Sequence, residues 1–181
     1  MIDPSRLPKR VMFDTNVLSF VFDPPTGRAE EAPSRELWDA LVANRRDILI
    51  PAPSLAEFMR RGHKAPPAVR NVEIIPFDTP AALILATGLP MSVLKAVNGT
   101  GTSMTHLKFD SMIMACAARG RADVLVTFDP DHPKLKAQAG RAFAKLSVMT
   151  PPEVLAWVAA PAAAAPAQAA LPATMAVRPP P

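Results

Sequence analysis

Acidic residues follow short apolar runs, or come shortly before them, at four places in the chain. Residues 11–13 stop at Asp14 in "RVMFDTN", and "DVLVTFD" stops at Asp129. Glu57 in "PSLAEF" and Asp110 in "LKFD" stand at the starts of apolar segments typical of helices. Two carboxylates about 4 Å apart repel by about 4 kcal/mol at an effective dielectric constant near 20, so a cluster of them needs compensating positive charge. Mg²⁺ or Mn²⁺ would supply it, because these hard cations prefer oxygen ligands.

Phosphodiester hydrolysis is the chemistry that such a cluster would serve. Metal ions held by carboxylates lower the pKa of a bound water, and they stabilise the leaving oxygen of a phosphoryl group. We therefore predict that Asp14, Glu57, Asp110 and Asp129 bind metal and act in catalysis.

Ordinary structural roles are available to the aspartates. Asp14 could end a strand and begin a turn, and Asp129 in "FDPDH" could be a turn residue. Asp110 could be the N-cap of a helix. Asp131 is a rival for the role given to Asp129.

The segment around Glu57 also has two interpretations. Ser54 and Glu57 fit the S-x-x-E pattern of a capping box. Arg60 begins "RRGHK", which could bind a phosphate beside Glu57 or be a solvated helix end whose cations favour the helix dipole. Lys108 could contact a phosphate or be a surface lysine.

The elements that would position these residues alternate along the chain. Strands are predicted at "RVMFD", "DILIP", "VEIIPF", "DVLVTF" and "KLSVMT", and helices at "SRELWDALVANRR" (with Ser34 as N-cap), "PSLAEFMRRG", "DTPAALILATG" (with Asp78 as cap), "FDSMIMACAARG" and "PPEVLAWVA". Nearly continuous apolar strands separated by helices favour an α/β fold whose parallel sheet is covered on both faces. The functional crevice of such a sheet lies outside the carboxyl ends of its strands. No element is assigned with assurance to residues 90–106, which include "NGTGTS".

Composition sets the broad class of protein. The chain of 181 residues suits one domain, and 49% hydrophobic residues suit a globular core. No run approaches the roughly 18 apolar residues of a membrane span, and the first residues lack the apolar run of a signal peptide. One cysteine, Cys116, fits a reducing compartment. We expect a cytoplasmic protein without a membrane partner, folded over residues 1–158, with a disordered Ala/Pro-rich tail over 159–181. A net charge of +4 allows nucleic-acid binding.

Four segments together resemble a known family. "VMFDTNVLSF" looks like the opening of a PIN domain, the nuclease fold of VapC-type toxins, and "PAPSLAEFMRRG" resembles its second motif. "LKFDSMIMACAARGRADVLVTFDPDH" is similar to its third and fourth motifs, and "SVMTPPEVLAWV" to its closing strand and helix. The resemblance covers about residues 10–158. It implies a three-layer α/β/α sandwich with a central parallel sheet, and a Mg²⁺- or Mn²⁺-dependent ribonuclease.

The resemblance also implies roles and partners. The four acids match the family's metal-site positions, and Asn16 and Thr127 match its polar supporting positions near the substrate. Thr127 could bond a carboxylate or a metal-bound water, or simply be a β-branched strand residue. The implied partners are an RNA substrate, an antitoxin that blocks the acidic pocket, and a second copy of the chain in a homodimer.

Two alternatives remain open on the sequence. One is a PIN-like binding module that does not catalyse. The other is a haloacid-dehalogenase-like phosphatase with Asp14 as nucleophile. That chemistry requires a second carboxylate two residues later, and this position is occupied by Asn16. The three histidines, His63, His106 and His132, lack the spacing of zinc ligands.

Overall fold

Five parallel strands form the centre of the molecule. The computed structural model describes residues 3–63, 66, 69–98 and 103–160. The strands are β1 (Arg10–Phe13), β2 (Asp47–Pro51), β3 (Val72–Ile75), β4 (Val124–Val126) and β5 (Ser147–Met149). They lie in one sheet in the order β3-β2-β1-β4-β5, with every neighbouring pair parallel. The five predicted strands are confirmed.

Helices connect the strands and cover the sheet. They are α1 (Thr15–Phe22), α2 (Glu31–Ala43), α3 (Ala52–Arg60), α4 (Thr79–Gly88), α5 (Met91–Asn98), α6 (Met104–Arg119), α7 (Asp131–Gln138) and α8 (Pro151–Ala159). Asp78 caps α4 by accepting the Ala81 N–H, as predicted, and Gly120 follows the last residue of α6.

The side chains of the central strands alternate between two buried clusters. Met12 of β1 is in register with Leu49 of β2 and Leu125 of β4, and all three belong to the cluster under α4, α5, α6 and α7. Val11 and Phe13 belong to the opposite cluster, which includes residues of α1, α2, α3 and α8. Burial on both faces explains why the central strands β1, β2 and β4 are almost entirely apolar. The predicted three-layer α/β/α sandwich is confirmed.

The side of the sheet on which successive strands are added changes at β1. The chain adds β2 and β3 on one side of β1, and then adds β4 and β5 on the other. Ligand sites in open parallel sheets lie at the carboxyl ends of the strands on either side of such a point. Asp14 follows β1 there, and its backbone N–H donates to the Val126 carbonyl of β4 at 3.1 Å.

Three predicted helix starts are wrong. Ser34 is not an N-cap, because α2 begins at Glu31 and the Ser34 hydroxyl donates to the Glu30 carbonyl at 2.6 Å. Helix α3 begins at Ala52 and α6 at Met104, so Glu57 and Asp110 lie in second turns rather than first turns. The apolar pattern marks the buried face of each helix but does not fix the residue at which the helix begins.

Some segments had no predicted element, and others lie outside the described residues. Helices α1, α5 and α7 were not predicted, and α5 with the start of α6 occupies most of the unassigned residues 90–106. Within "NGTGTS", residues 99–102 lie outside the described residues, as do residues 161–181 of the predicted tail. No single helix in the described ranges is long and apolar enough to cross a membrane; α4 and α5 pass that test of length and composition only together, as a pair bent by 60°.

Candidate functional site

Asp14 lies where β1 ends and α1 begins, and it is 5% exposed. As the N-cap of α1, it accepts a hydrogen bond from the Thr15 N–H at 2.6 Å. The positive end of the helix dipole favours a carboxylate at this position. Its other oxygen, Oδ2, accepts hydrogen bonds from the Thr127 hydroxyl at 2.8 Å and from the Asn16 amide at 2.9 Å. Four protein groups thus fix or approach one carboxylate, since His132 Nε2 also lies 3.5 Å from Oδ2.

Thr127 connects the ends of β1 and β4. Besides donating to Asp14, its hydroxyl oxygen accepts the backbone N–H of Asp129 at 2.9 Å. Asn16 Oδ1 accepts the backbone N–H of Phe128 at 3.3 Å. The turn that carries Asp129 is therefore tied to the turn that carries Asp14 through Asn16 and Thr127.

Asp110 is brought to the same place by α6. It is 7% exposed, and its Oδ2 has no hydrogen-bond partner among the described residues. One carboxylate oxygen from each of Asp110, Asp129 and Asp131 lies within 4.8 Å of the other two. Asp131 is further held by Lys134, whose ammonium group lies 2.6 Å from its Oδ1.

Burial, together with the neighbouring carboxylates, raises the pKa of the Asp110 carboxyl. Its burial, more than any other cause, raises the pKa of the Asp110 carboxyl to about 7. The negative charges of Asp129, Asp14 and Asp131 raise it further, while the positive charge of His132 opposes them. Asp110 is therefore the carboxyl that most needs a cation nearby if it is to ionise at neutral pH.

Asp14 behaves in the opposite way. Burial alone would raise the pKa of Asp14, but its contact with His132 and its hydrogen bonds from Thr127 and Thr15 hold that pKa below the ordinary value. His132 is fully buried, and burial would lower its pKa, yet the carboxylate of Asp14 and the charges of the other acids raise it. Asp14 and His132 thus stabilise each other's charges.

Glu57 approaches the site from α3. Its side chain is 36% exposed and forms an ion pair with Arg61, one turn further along the helix. The capping-box interpretation of Glu57 is wrong, because Ser54 is the third residue of α3 and its buried hydroxyl has no partner among the described residues.

One pocket of about 580 Å³ brings most of the predicted residues together. It is lined by Asp14, Glu57, Asp110 and Asp129, and by Asn16 and Arg60. Thr127 is buried beneath it and acts on Asp14 instead. Lys108 is exposed on α6 and does not line the pocket, in keeping with a surface lysine.

Two residues of the site were not predicted from the sequence. In the sequence, His132 is a candidate only for a zinc ligand, and its place after Asp131 in "DPDH" gives no sign that it contacts Asp14. Thr15 lines the pocket with a buried hydroxyl that has no partner in the described part of the chain. A signal for Thr15 did exist, because it lies between Asp14 and Asn16.

Comparisons with known proteins identify a family for this chain. The PIN domain family matches residues 11–138. Among solved structures, the chain is similar to VapBC2 from Rickettsia felis, solved bound to a DNA fragment from their promoter. The identity is 15% and the TM-score 0.49, over 77% of this chain and 96% of that one. A comparison with curated proteins found no match.

Proposed function

The chain belongs to the PIN domain family, and from that premise we propose that it is a metal-dependent endoribonuclease that hydrolyses RNA phosphodiester bonds. The observation that carries this proposal is the buried carboxylate of Asp110, which faces two more aspartates with one oxygen unpartnered among the described residues. PIN domains are typically nucleases.

The donor set fits Mg²⁺ or Mn²⁺. All the candidate ligands are carboxylate oxygens, which these hard cations prefer over nitrogen or sulfur. We propose Asp14, Glu57, Asp110 and Asp129 as the groups that hold the metal, with Asp131 as the rival of Asp129 for that role. When bound, such an ion lowers the pKa of a coordinated water and stabilises the developing charge on a phosphoryl group.

The protein's own groups have separate tasks in this proposal. Thr127, Asn16 and Thr15 hold the Asp14 carboxylate in one orientation, so no reorganisation is needed when substrate arrives. His132 keeps Asp14 ionised in a buried environment. Arg60 lines the pocket and is exposed, so its guanidinium group can bind a substrate phosphate.

The biological setting is also a proposal. The resemblance of its motifs to VapC-type toxins supports a toxin that acts on RNA in the cytoplasm, together with an antitoxin that covers the acidic pocket. A homodimer is part of the same proposal. The tail over residues 159–181 would lie outside the nuclease domain, which we place at residues 1–158.

Cleavage of RNA by the purified protein tests this function. We expect a labelled single-stranded RNA to be cut with Mn²⁺ present, to survive when EDTA is added, and to be cut again when Mn²⁺ is restored in excess. A binding module that does not catalyse would retain the RNA uncut in all three conditions. A phosphatase would release inorganic phosphate from a terminal phosphate and leave the chain length unchanged.

A further inference from the structure

A pair of phenylalanines lies beside the pocket. The rings of Phe20 and Phe128 meet edge to face, with centroids 5.5 Å apart. Both side chains are only partly buried. Phe128 packs against the cluster under α1, whereas Phe20 is not among the described residues that pack against either core cluster. A large apolar ring that contributes to neither core has surface left for another molecule.

The aromatic pair is continuous with the catalytic edge. Phe20 is four residues after Asn16 on α1, so the two side chains lie on the same face of that helix. Phe128 precedes Asp129, and its N–H donates to Asn16. Asn16 and Asp129 both line the pocket. Each ring is therefore carried by a backbone segment that also carries a residue lining the pocket.

A cation completes this surface. The guanidinium carbon of Arg28 lies 5.7 Å from the centre of the Phe20 ring, at cation–π distance. Arg28 is exposed. Its positive charge complements an RNA phosphate group. Arg28 does not line the acidic pocket, whose carboxylates would repel that phosphate.

The loop that carries Arg28 is held in place. The buried carboxylate of Glu31 accepts hydrogen bonds from the Thr26 N–H at 2.9 Å, from the Thr26 hydroxyl at 2.5 Å and from the Gly27 N–H at 3.2 Å. Gly27 has φ +83°, a conformation that suits glycine. Because these hydrogen bonds to Glu31 fix the loop, the backbone at Arg28 is already positioned when a ligand binds.

The end of α1 is held in the same way. Arg35 of α2 donates to the carbonyl of Phe20 at 3.0 Å and to that of Asp23 at 2.6 Å. The backbone of Phe20 is therefore fixed on one side, while Phe128 is fixed through Asn16 on the other.

We propose that Phe20 and Phe128, with Arg28, form a nucleobase-stacking subsite that holds one unpaired base of the RNA next to the scissile phosphate. Aromatic rings bind any base through its face, and adjacent cations bind the backbone. Bases in a duplex are stacked on each other, so this subsite selects single-stranded RNA. The inference rests on the proposed nuclease function and specifies its substrate.

Steady-state cleavage of a labelled single-stranded RNA with Mn²⁺ tests the subsite. Phe20→Leu and Phe128→Leu should each raise KM about tenfold, the scale of one lost base–ring stack, and should change kcat little. Phe20→Trp should retain a KM near the parental one, because tryptophan also stacks. Arg28→Gln, on an exposed loop, should raise KM several-fold without altering the thermal midpoint.

Two controls separate stacking from a structural role. Calorimetric Mn²⁺ binding should be the same in Phe20→Leu and the parent. Trp157 is an exposed aromatic residue on α8 that does not line the pocket, and Trp157→Leu should leave KM unchanged. In addition, a substrate with one abasic position beside the cut should lose affinity for the parent but not for Phe20→Leu.

The outcomes distinguish this inference from the proposed function. If the parent cuts RNA and all three variants at Phe20, Phe128 and Arg28 have KM within twofold of it, the subsite is wrong and the nuclease function stands. Equal cleavage of duplex and single-stranded RNA by the parent would also overturn the proposed base-stacking subsite. If the parent neither binds nor cuts RNA, both proposals are wrong.

Discussion

Asp110 combines burial with three neighbouring carboxylates, and this makes the metal-free protein sensitive to pH. Its pKa is about 7 in the folded state against an ordinary value of 3.8. Between those values the folded protein keeps a proton that the unfolded chain releases, so the free energy of unfolding falls as pH rises from about 4 to about 7. Above that window the contribution of Asp110 is constant.

Thermal melts in EDTA at pH 5 and pH 8 check this expectation. The parent should lose more stability between the two values than Asp110→Asn, whose amide does not titrate. Asp110→Asn should also be the more stable protein at pH 8, because one buried charge is gone. Parallel pH dependence in the two proteins would show that Asp110 ionises normally.

Asp129 and Asp131 are close enough for either to bind a metal together with Asp110. Asp129 lines the pocket, while Asp131 does not and has an ion pair with Lys134. We expect Asp129→Asn to weaken Mn²⁺ binding and to abolish cleavage, and Asp131→Asn to retain most activity. Calorimetry and cleavage assays on both variants decide it. If Asp131→Asn loses more Mn²⁺ affinity and cleavage activity than Asp129→Asn, then Asp131 rather than Asp129 is the metal ligand.

At the scale of elements, the start of α3 can be tested through the contribution of Ser54 to the free energy of unfolding. That contribution differs between a capping serine and a serine buried inside the helix. A capping serine contributes about 0.5–2 kcal/mol, which its removal would cost. Ser54 is instead fully buried inside the helix, and its hydroxyl lacks a partner in the described residues. Removing a buried polar group without a partner is close to neutral or stabilising.

Ser54→Ala should therefore leave the thermal midpoint unchanged or raise it slightly. Thr150→Ala is a suitable comparison, because Thr150 and Glu153 do form a capping box at the start of α8. That variant should lose about 1 kcal/mol, the usual cost of a lost cap. Equal destabilisation of both variants would restore the capping role of Ser54.

The elements that could be predicted were those with strong buried patterns. The strand at residues 47–51 was predicted with its observed bounds, since both of its faces are buried and its sequence is apolar. Helix α1 was missed because it is only eight residues long and because Asp14, Thr15 and Asn16 form a polar "DTN" segment that is typical of a turn. Helix α7 was missed because its eight residues are mostly polar and only Asp131, His132 and Leu135 are buried.

The predicted site depended on order along the chain rather than on pairwise contacts. The rule that parallel strands gather their carboxyl ends at one edge placed Asp14 and Asp129 together. It could not show that His132 turns back to Asp14, because that contact depends on where α7 packs. Nor could it show that the partly buried Glu57 pairs with Arg61.

For the whole molecule, the expected limit of the folded domain is testable. The last described helix ends at Ala159, and its buried residues Val154 and Val158 belong to the cluster that includes α2. A chain ending at residue 160 should keep the parental thermal midpoint and the parental rate of RNA cleavage. A chain ending at residue 150 should be strongly destabilised, since it lacks α8. If the chain ending at residue 160 is less stable than the parent, the folded domain includes part of residues 161–181.

The central claim is that the pocket at the switch point of the sheet hydrolyses RNA. The most direct measurement is the cleavage rate of a labelled RNA by Asp110→Asn beside the parent and beside Asp39→Asn, which changes an exposed aspartate on α2. All three proteins would be assayed at saturating Mn²⁺, after melts show that each is folded. We expect Asp110→Asn to lose at least about a hundredfold in rate, the scale of removing a group that stabilises charge in the transition state, and Asp39→Asn to match the parent. A folded Asp110→Asn protein that cuts RNA within a few-fold of the parental rate would contradict the account.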